Sequence, residues 1–221
     1  MQISFFKLAI IFIVLVVVPS LAQRPSTDAW FTQIGSWHYK QDSLSGKSFI
    51  FHNASLDGAQ SGEATSNIRF NRGFEGLVRF SGRISLSQSP ACAGLLVQNR
   101  KTTFYFLIKK KNTSNSLEIC QRSKSGLIPI FTNTVSIKDT IELFLHVKKD
   151  SLCLVAGNTS LSIIRPSDFS GTQWVGFECL QGAIKVFNAQ ISSASGEIKE
   201  TFEKATFLNL HMEKMFTPVK K

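Results

Sequence analysis

The chain has 221 residues, 43% of them hydrophobic, and carries 25 Lys and Arg against 15 Asp and Glu, for a formal net charge of +10. That length suits one globular domain, and the apolar content excludes a polar, disordered chain. The longest apolar run, Leu8–Val18, falls short of the ~20 residues a spanning helix needs, which argues against an integral membrane protein.

The first 22 residues contain a single charge, Lys7, then the apolar run, then Pro19 and the small-x-small end Ser20-Leu21-Ala22. A basic start, a short apolar centre and a cleavage site make a secretory signal peptide. The expected localisation is therefore secreted, extracellular or periplasmic, which excludes a cytosolic enzyme. The expected organisation is a signal peptide over 1–22, a domain over 23–195 and a C-terminal tail over 196–221.

Beyond the signal, alternation governs the chain. Ile141, Leu143, Leu145 and Val147 point one way, with Glu142, Phe144, His146 and Lys148 between them; Leu117 and Ile119 alternate with Glu118, Cys120 and Arg122. Period two marks strands buried on one face. Turn signals such as Ser45-Gly46, Ser81-Gly82 and Gly157-Asn158 punctuate the pattern. The expected strands are 34–40, 47–53, 65–70, 74–86, 93–98, 103–110, 116–122, 127–135, 139–148, 151–156, 159–164, 173–179 and 183–193. Of the 19 phenylalanines, the 16 beyond the signal fit this reading, since aromatic side chains pack well on a pleated surface. Many short strands without a long helical pattern predict an all-β sandwich or barrel. The tail breaks the alternation: Ile198, Phe202, Ala205, Leu208, Met212 and Met215 recur at three- and four-residue steps, which predicts an amphipathic helix or an irregular tail. That segment could lie on the sandwich or dock a protein partner.

Four cysteines, Cys92, Cys120, Cys153 and Cys179, sit in strand-like runs without C-x-x-C spacing, so a zinc site is not expected. Secretion permits disulfides, and buried free thiols and one or two bridges both remain open. His38, His52, His146 and His211 lack the close pairing of metal ligands, and no cofactor is implied. The largest basic cluster, Lys109-Lys110-Lys111, lies where a strand meets a polar turn. That placement reads as a guarded strand end, and no nucleic-acid-binding motif accompanies it. An acidic glycan or anionic cell surface suits the charge better. Asn53, Asn112 and Asn158 begin N-x-S/T sequons, which matter only in a eukaryotic secretory pathway. Trp37 and Trp174 are expected in the sandwich or at its rim, and Trp30 as the more exposed ring.

From Trp30 to about Ser193 the chain resembles the concanavalin A-like lectin/glucanase superfamily. The likeness rests on the order of several stretches: Trp30-Phe31 with Gly35-Ser36-Trp37; Cys92-Ala93-Gly94-Leu95-Leu96-Val97-Gln98; Thr103-Phe104-Tyr105-Phe106 leading to Leu117-Glu118-Ile119-Cys120-Gln121-Arg122; the hairpin from Asp139 to Leu152; and Trp174-Val175-Gly176-Phe177 with Val186-Phe187-Asn188-Ala189-Gln190-Ile191. Nearest in flavour are LamG-like modules, accessory sandwich domains of xylosidases and 3-keto-disaccharide hydrolase-like domains. The resemblance implies a two-sheet antiparallel jelly roll. The superfamily's E-x-D-x-E catalytic strand is missing here, and Gln98 stands where many accessory domains carry Arg.

If Leu117, Ile119, Leu143 and Leu145 face the core, alternation turns Gln98, Tyr105, Lys109, Glu118, Arg122 and His146 outward as candidate ligand-binding residues. Glu142, Lys185, Phe144 and Phe187 join the same outward set. Rings, an amide and charged pairs on one sheet suit sugars, whose C–H faces stack and whose hydroxyls hydrogen-bond. The expected function is a secreted, non-catalytic carbohydrate- or surface-binding module. The alternatives are a glycoside-processing enzyme using Glu118 and Glu142 as its acid/base pair, or a structural, protein-interaction domain.

Overall fold

The computed structural model describes residues 29–35, 37–53, 66–112, 114–123 and 126–203. The expected signal peptide and the tail from 204 onward lie outside the described residues. In chain order the strands are β1 (Trp30–Ile34), β2 (His38–Gln41), β3 (Ser48–Asn53), β4 (Ser66–Phe70), β5 (Val78–Leu86), β6 (Ala91–Gln98), β7 (Thr103–Lys110) and β8 (Asn115–Ser123). They continue as β9 (Gly126–Val135), β10 (Thr140–Val147), β11 (Ser151–Ala156), β12 (Thr159–Ile164), β13 (Trp174–Gln181), β14 (Ala183–Ser193) and β15 (Gly196–Glu200). Among the described residues there is no helix, so none long and apolar enough to cross a membrane.

The strands form two antiparallel sheets, a jelly-roll sandwich. One is seven-stranded, in the order β1-β4-β13-β6-β7-β8-β9; the other is eight-stranded, in the order β12-β11-β10-β5-β14-β3-β2 with β15 on β14. The core lies between them. Trp30, Phe70 and Phe177 from the first sheet meet Phe80 of β5, with Phe80 and Phe177 at 5.1 Å between ring centroids. The alternation read from β8 and β10 holds: Leu117, Ile119, Leu143 and Leu145 are all fully buried in this core.

Where the chain departs from simple alternation, a specific backbone feature is responsible. The expected strand 34–40 is two strands in different sheets, because the chain turns at Gly35, whose φ of +77° a side chain resists. In β14 a bulge between Val186 and Asn188 shifts the register against β5, so the core face moves from Ile184 and Val186 to Ala189 and Ile191. The expected helix does not start at Gly196. Gly196–Glu200 turns back as β15 along the end of β14, with Ile191 opposite Ile198. Ile198 then packs on the core, and Phe202 follows it inward at a φ of +62°. A bulky residue in this left-handed conformation is costly. Here it is held by full burial of the ring, 5.7 Å from Trp30, and by the Glu200 carboxylate accepting the Phe202 N–H at 2.7 Å. The same four-residue spacing that suggests a helix is thus met by a strand and a tight turn.

All four cysteines are free thiols: Cys179 lies in the core, Cys92 and Cys120 are buried on the outer side of the seven-stranded sheet, and Cys153 is half-buried on β11. Trp30 is not an exposed ring. It is 1% accessible and packs against Phe70, Phe177 and Phe202. On β9, the edge of its sheet, Ile128, Ile130 and Phe131 are half-open to solvent. Pro129 and a bulge beside it break that edge's hydrogen-bonding pattern, a usual defence against strand addition.

Candidate functional site on the seven-stranded sheet

The outward residues expected to share one face are divided between two. Gln98 (β6), Tyr105 and Lys109 (β7), and Glu118 and Arg122 (β8) stand together on the outer side of the seven-stranded sheet, because β6, β7 and β8 are successive neighbours there. Glu142, Phe144 and His146 are on β10, and Lys185 and Phe187 on β14, all in the other sheet. Glu118 and Glu142 therefore point away from opposite faces of the sandwich, with the core between them, and cannot act as an acid/base pair. His146 is likewise separated from the other candidates. It lines a groove of about 340 Å³ with Arg79, Phe144, Gln190 and Glu197, where burial and the charges of Arg79 and Lys148 hold its pKa below the ordinary value.

On the seven-stranded sheet the outward side chains are organised in pairs. Arg122 donates from Nε to the Tyr105 hydroxyl at 3.0 Å and sits 5.7 Å from the centre of that ring. Lys109 Nζ lies 3.3 Å from both Glu118 oxygens, and Ser116 donates a third hydrogen bond to Glu118 at 3.2 Å. Trp174, paired with Gln98 across the β13–β6 register, lies 5.2 Å from the Arg69 guanidinium, which also approaches the Phe31 ring at 5.8 Å. A guanidinium stacked on an aromatic face is held in one orientation.

Beneath these pairs lies an apolar bed of Cys92, Leu96, Tyr105, Leu107 and Cys120, all nearly inaccessible. Burial acts on its titratable members: the thiols are pushed up to about 12 at Cys92 and about 11 at Cys120, and the Tyr105 phenol also rises. These groups stay protonated at neutral pH. Two glycines of this face have no room for a side chain. A Cβ on Gly94 would fall 2.1 Å from the Phe106 carbonyl oxygen, and one on Gly176 would fall 2.2 Å from that of Ile68. The neighbouring strands thus approach too closely for any side chain. Gly94→Ala is expected to push β6 from β7 and lower the melting temperature by several degrees, read by thermal denaturation; an unchanged melting point would show that the strands can spread at no cost.

Beside Gly94, in register with it and with Asn67 of β4, stands Glu178. Its neighbours Phe177 and Cys179 face the core, so its carboxyl belongs to the outer face. It is fully buried, and neither oxygen makes a hydrogen bond of ordinary geometry, although Asn67 faces it across the strand pair. Burial pushes its pKa up to about 8, against the opposing pull of Arg122 and Asn67. Glu178, Asn67, Arg69 and Trp174 are the site residues that sequence reasoning passed over. The available signal was a lone carboxylate inside the apolar run Val175-Gly176-Phe177-Glu178-Cys179-Leu180, a buried polar group being more informative than an exposed one.

The face as a whole has an excess of positive charge. Lys109 and Glu118 compensate each other, and burial disfavours the charged form of Glu178. Among the described residues neither Arg69 nor Arg122 has a carboxylate partner.

No protein-family model matches the chain, and no curated protein matches it. Solved structures do. Alginate lyase A1-II′, a member of polysaccharide lyase family 7, is 11% identical with a TM-score of 0.51, over 72% of this chain and 84% of its own. The carbohydrate-binding module CBM66 from Bacillus subtilis is 11% identical with a TM-score of 0.51, over 78% of this chain and 96% of its own. Likeness at this identity is one of fold, and it is to jelly-roll sandwiches of carbohydrate-active proteins.

Proposed function

We propose that the chain is a secreted, non-catalytic carbohydrate-binding sandwich of the concanavalin A-like type, and that the outer face of its seven-stranded sheet binds an acidic glycan. The observation that carries this reading is the convergence of Trp174 with Arg69, Tyr105 with Arg122, and Gln98 on one sheet face. The half-buried Trp174 ring offers a stacking surface for sugar C–H groups, the amide serves hydroxyls, and two guanidinium groups that among the described residues have no carboxylate salt bridge suit a carboxylate or sulfate. The fold neighbours include a binding module and a lyase, and both are consistent with a carbohydrate-related role.

The layout of carboxylates favours binding over glycoside hydrolysis. Glycosidases need two carboxyl groups within about 5–10 Å of each other. Glu118 and Glu178 share the face, but β13, β6, β7 and β8 set them three strand intervals apart. At ~4.8 Å per interval that is about 14 Å between backbones. Glu118 is moreover engaged by Lys109 and Ser116.

The test is a glycan array probed with the mature protein, containing neutral and acidic oligosaccharides. Binding to acidic members is expected, and Arg122→Ala should weaken it about tenfold or more, the value of a charge-assisted hydrogen bond. Silence across every oligosaccharide would overturn the proposal.

A further inference from the structure

We propose that the outer face of the eight-stranded sheet holds a second binding site, which takes a neutral oligosaccharide laid across the exposed Phe144 ring. This site is separate from the acidic-glycan face, which lies beyond the core on the other sheet.

The site follows from side-chain size along neighbouring strands. In register across the sheet, Phe144 of β10 stands beside Ser81 of β5, and Ser81 beside Gln190 of β14. In the next outward row His146 stands beside Arg79, and Arg79 beside Ser192. The residues between these rows, Leu145, Phe80 and Ile191, are buried, so the rows themselves face outward. Ser81 is a short side chain between a ring and a long amide, and the surface dips there. β15 supplies the far wall: Glu197 accepts hydrogen bonds from Gln190 and Ser192 and pairs with Lys199 at 3.2 Å. The result is the groove of about 340 Å³ that contains His146. On the other side of Phe144, β11 ends at Ala156 opposite Leu143, while β10 runs on to Thr140. A second groove of about 640 Å³ opens beyond that end, lined by Thr140, Glu142 and Phe144 together with Lys138, Gly157 and Asn158. Phe144 is the wall that the two grooves share, and its ring is 37% exposed.

Chemistry, charge and length identify the occupant. The ring is an apolar platform for a sugar's C–H face, and the amide, imidazole, hydroxyl and carboxylate groups around it both donate and accept, as sugar hydroxyls do. The charges of the two grooves balance, Arg79 and Lys138 against Glu142 and Glu197. Burial and the nearby Arg79 and Lys148 favour the neutral form of His146. A ligand without net charge suits this lining, in contrast to the positive face of the other sheet. From β15 to β10 there are three strand intervals, about 14 Å at ~4.8 Å each, and the second groove continues the path past Phe144. That length suits a chain of sugars better than a single ring. An extended peptide fits less well, because it binds by main-chain pairing at a free strand edge. Here β5, β10 and β14 are each paired on both sides.

The test titrates neutral hexasaccharides of glucose, xylose, mannose and galactose into nitrogen-15-labelled protein and follows the amide resonances. At least one should bind and shift the amides of Ser81, Phe144, His146 and Gln190, leaving those of β6, β7 and β8 in place. Phe144→Ala should weaken that binding about tenfold, the value of covering an exposed aromatic side chain. Gln190→Ala and Glu142→Ala, one in each groove, should each weaken it about fivefold, the value of a hydrogen bond. The matching disaccharide, too short to enter both grooves, should bind at least tenfold more weakly than the hexasaccharide. Absence of binding by every neutral hexasaccharide, a footprint on β6, β7 and β8, or equal affinity for the disaccharide overturns this inference. So does unchanged binding by Phe144→Ala, or a footprint on β5, β10 and β14 produced by polar peptides and by no sugar. Acidic oligosaccharides that still bind the seven-stranded sheet in any of these cases leave the acidic-glycan reading intact. The wild-type footprint requires no variant, so misfolding of a variant does not remove the test.

Discussion

Trp30→Ala should destabilise the protein by about 3–5 kcal/mol, the usual cost of removing a large aromatic from a packed core. The ring is 1% accessible and contacts Phe70 at 5.4 Å, Phe177 at 5.6 Å and Phe202 at 5.7 Å between centroids. Its loss opens a cavity that three rigid rings cannot collapse into. It also removes the surface against which Phe202 is held at its unfavourable φ, so the turn after β15 loses its main reason to persist. Chemical denaturation read by tryptophan-independent circular dichroism would measure this. A change below 1 kcal/mol would mean that Trp30 is a peripheral ring.

The second large effect is on the pH dependence of stability. Glu178 has a folded-state pKa raised from 4.5 to about 8 by burial. The unfolded chain gives up this proton near the ordinary value, whereas the native protein keeps it to about pH 8. Between these limits the native state binds more protons than the unfolded state, so stability falls as pH rises, and the loss is complete above pH 8. Each tenfold difference in proton affinity between the two states is worth about 1.4 kcal/mol, so the whole loss is on the order of a few kcal/mol. Glu178→Gln removes the ionisation and keeps the shape. The variant should match the wild type near pH 4 and become the more stable protein by an amount that grows steadily to pH 8. Thermal melts of both proteins from pH 4 to 9 give the difference curve directly, and parallel curves would show that Glu178 is ionised in the folded protein at neutral pH. A group that costs stability at neutral pH, yet sits among candidate ligand-binding residues, is the pattern expected where function and stability compete.

The two errors of sequence reading with the greatest consequence have distinct physical origins. Trp30 looks peripheral because it opens the first strand, but β1 closes the edge of its sheet beside β4 and turns alternate side chains inward. Phe202 and Ile198 look helical because a four-residue interval fits one helical turn, and no local rule distinguishes this from a strand residue followed by a left-handed turn. The outward positions of Gln98, Tyr105, Lys109, Glu118 and Arg122, by contrast, follow from alternation and were legible. Glu178 was legible as an anomaly but not as a site member. Its strand, β13, joins β6 across a sequence gap of some eighty residues, a pairing that local pattern does not encode.

Period-two alternation, read from the sequence alone, is a local property of an extended chain, so it determined which residues of each strand face the core and that the protein is an all-β sandwich. It was silent on strand order, which is set by pairing between distant segments and by which faces bury together. Only the tertiary structure placed β8 and β10 in different sheets, separating Glu118 from Glu142 and His146 by the thickness of the core. The same pairing brought β4, β13, β6, β7 and β8 side by side, so that the Arg69 and Arg122 guanidinium groups, the Trp174 and Tyr105 rings and the buried carboxyls of Glu118 and Glu178 share a face.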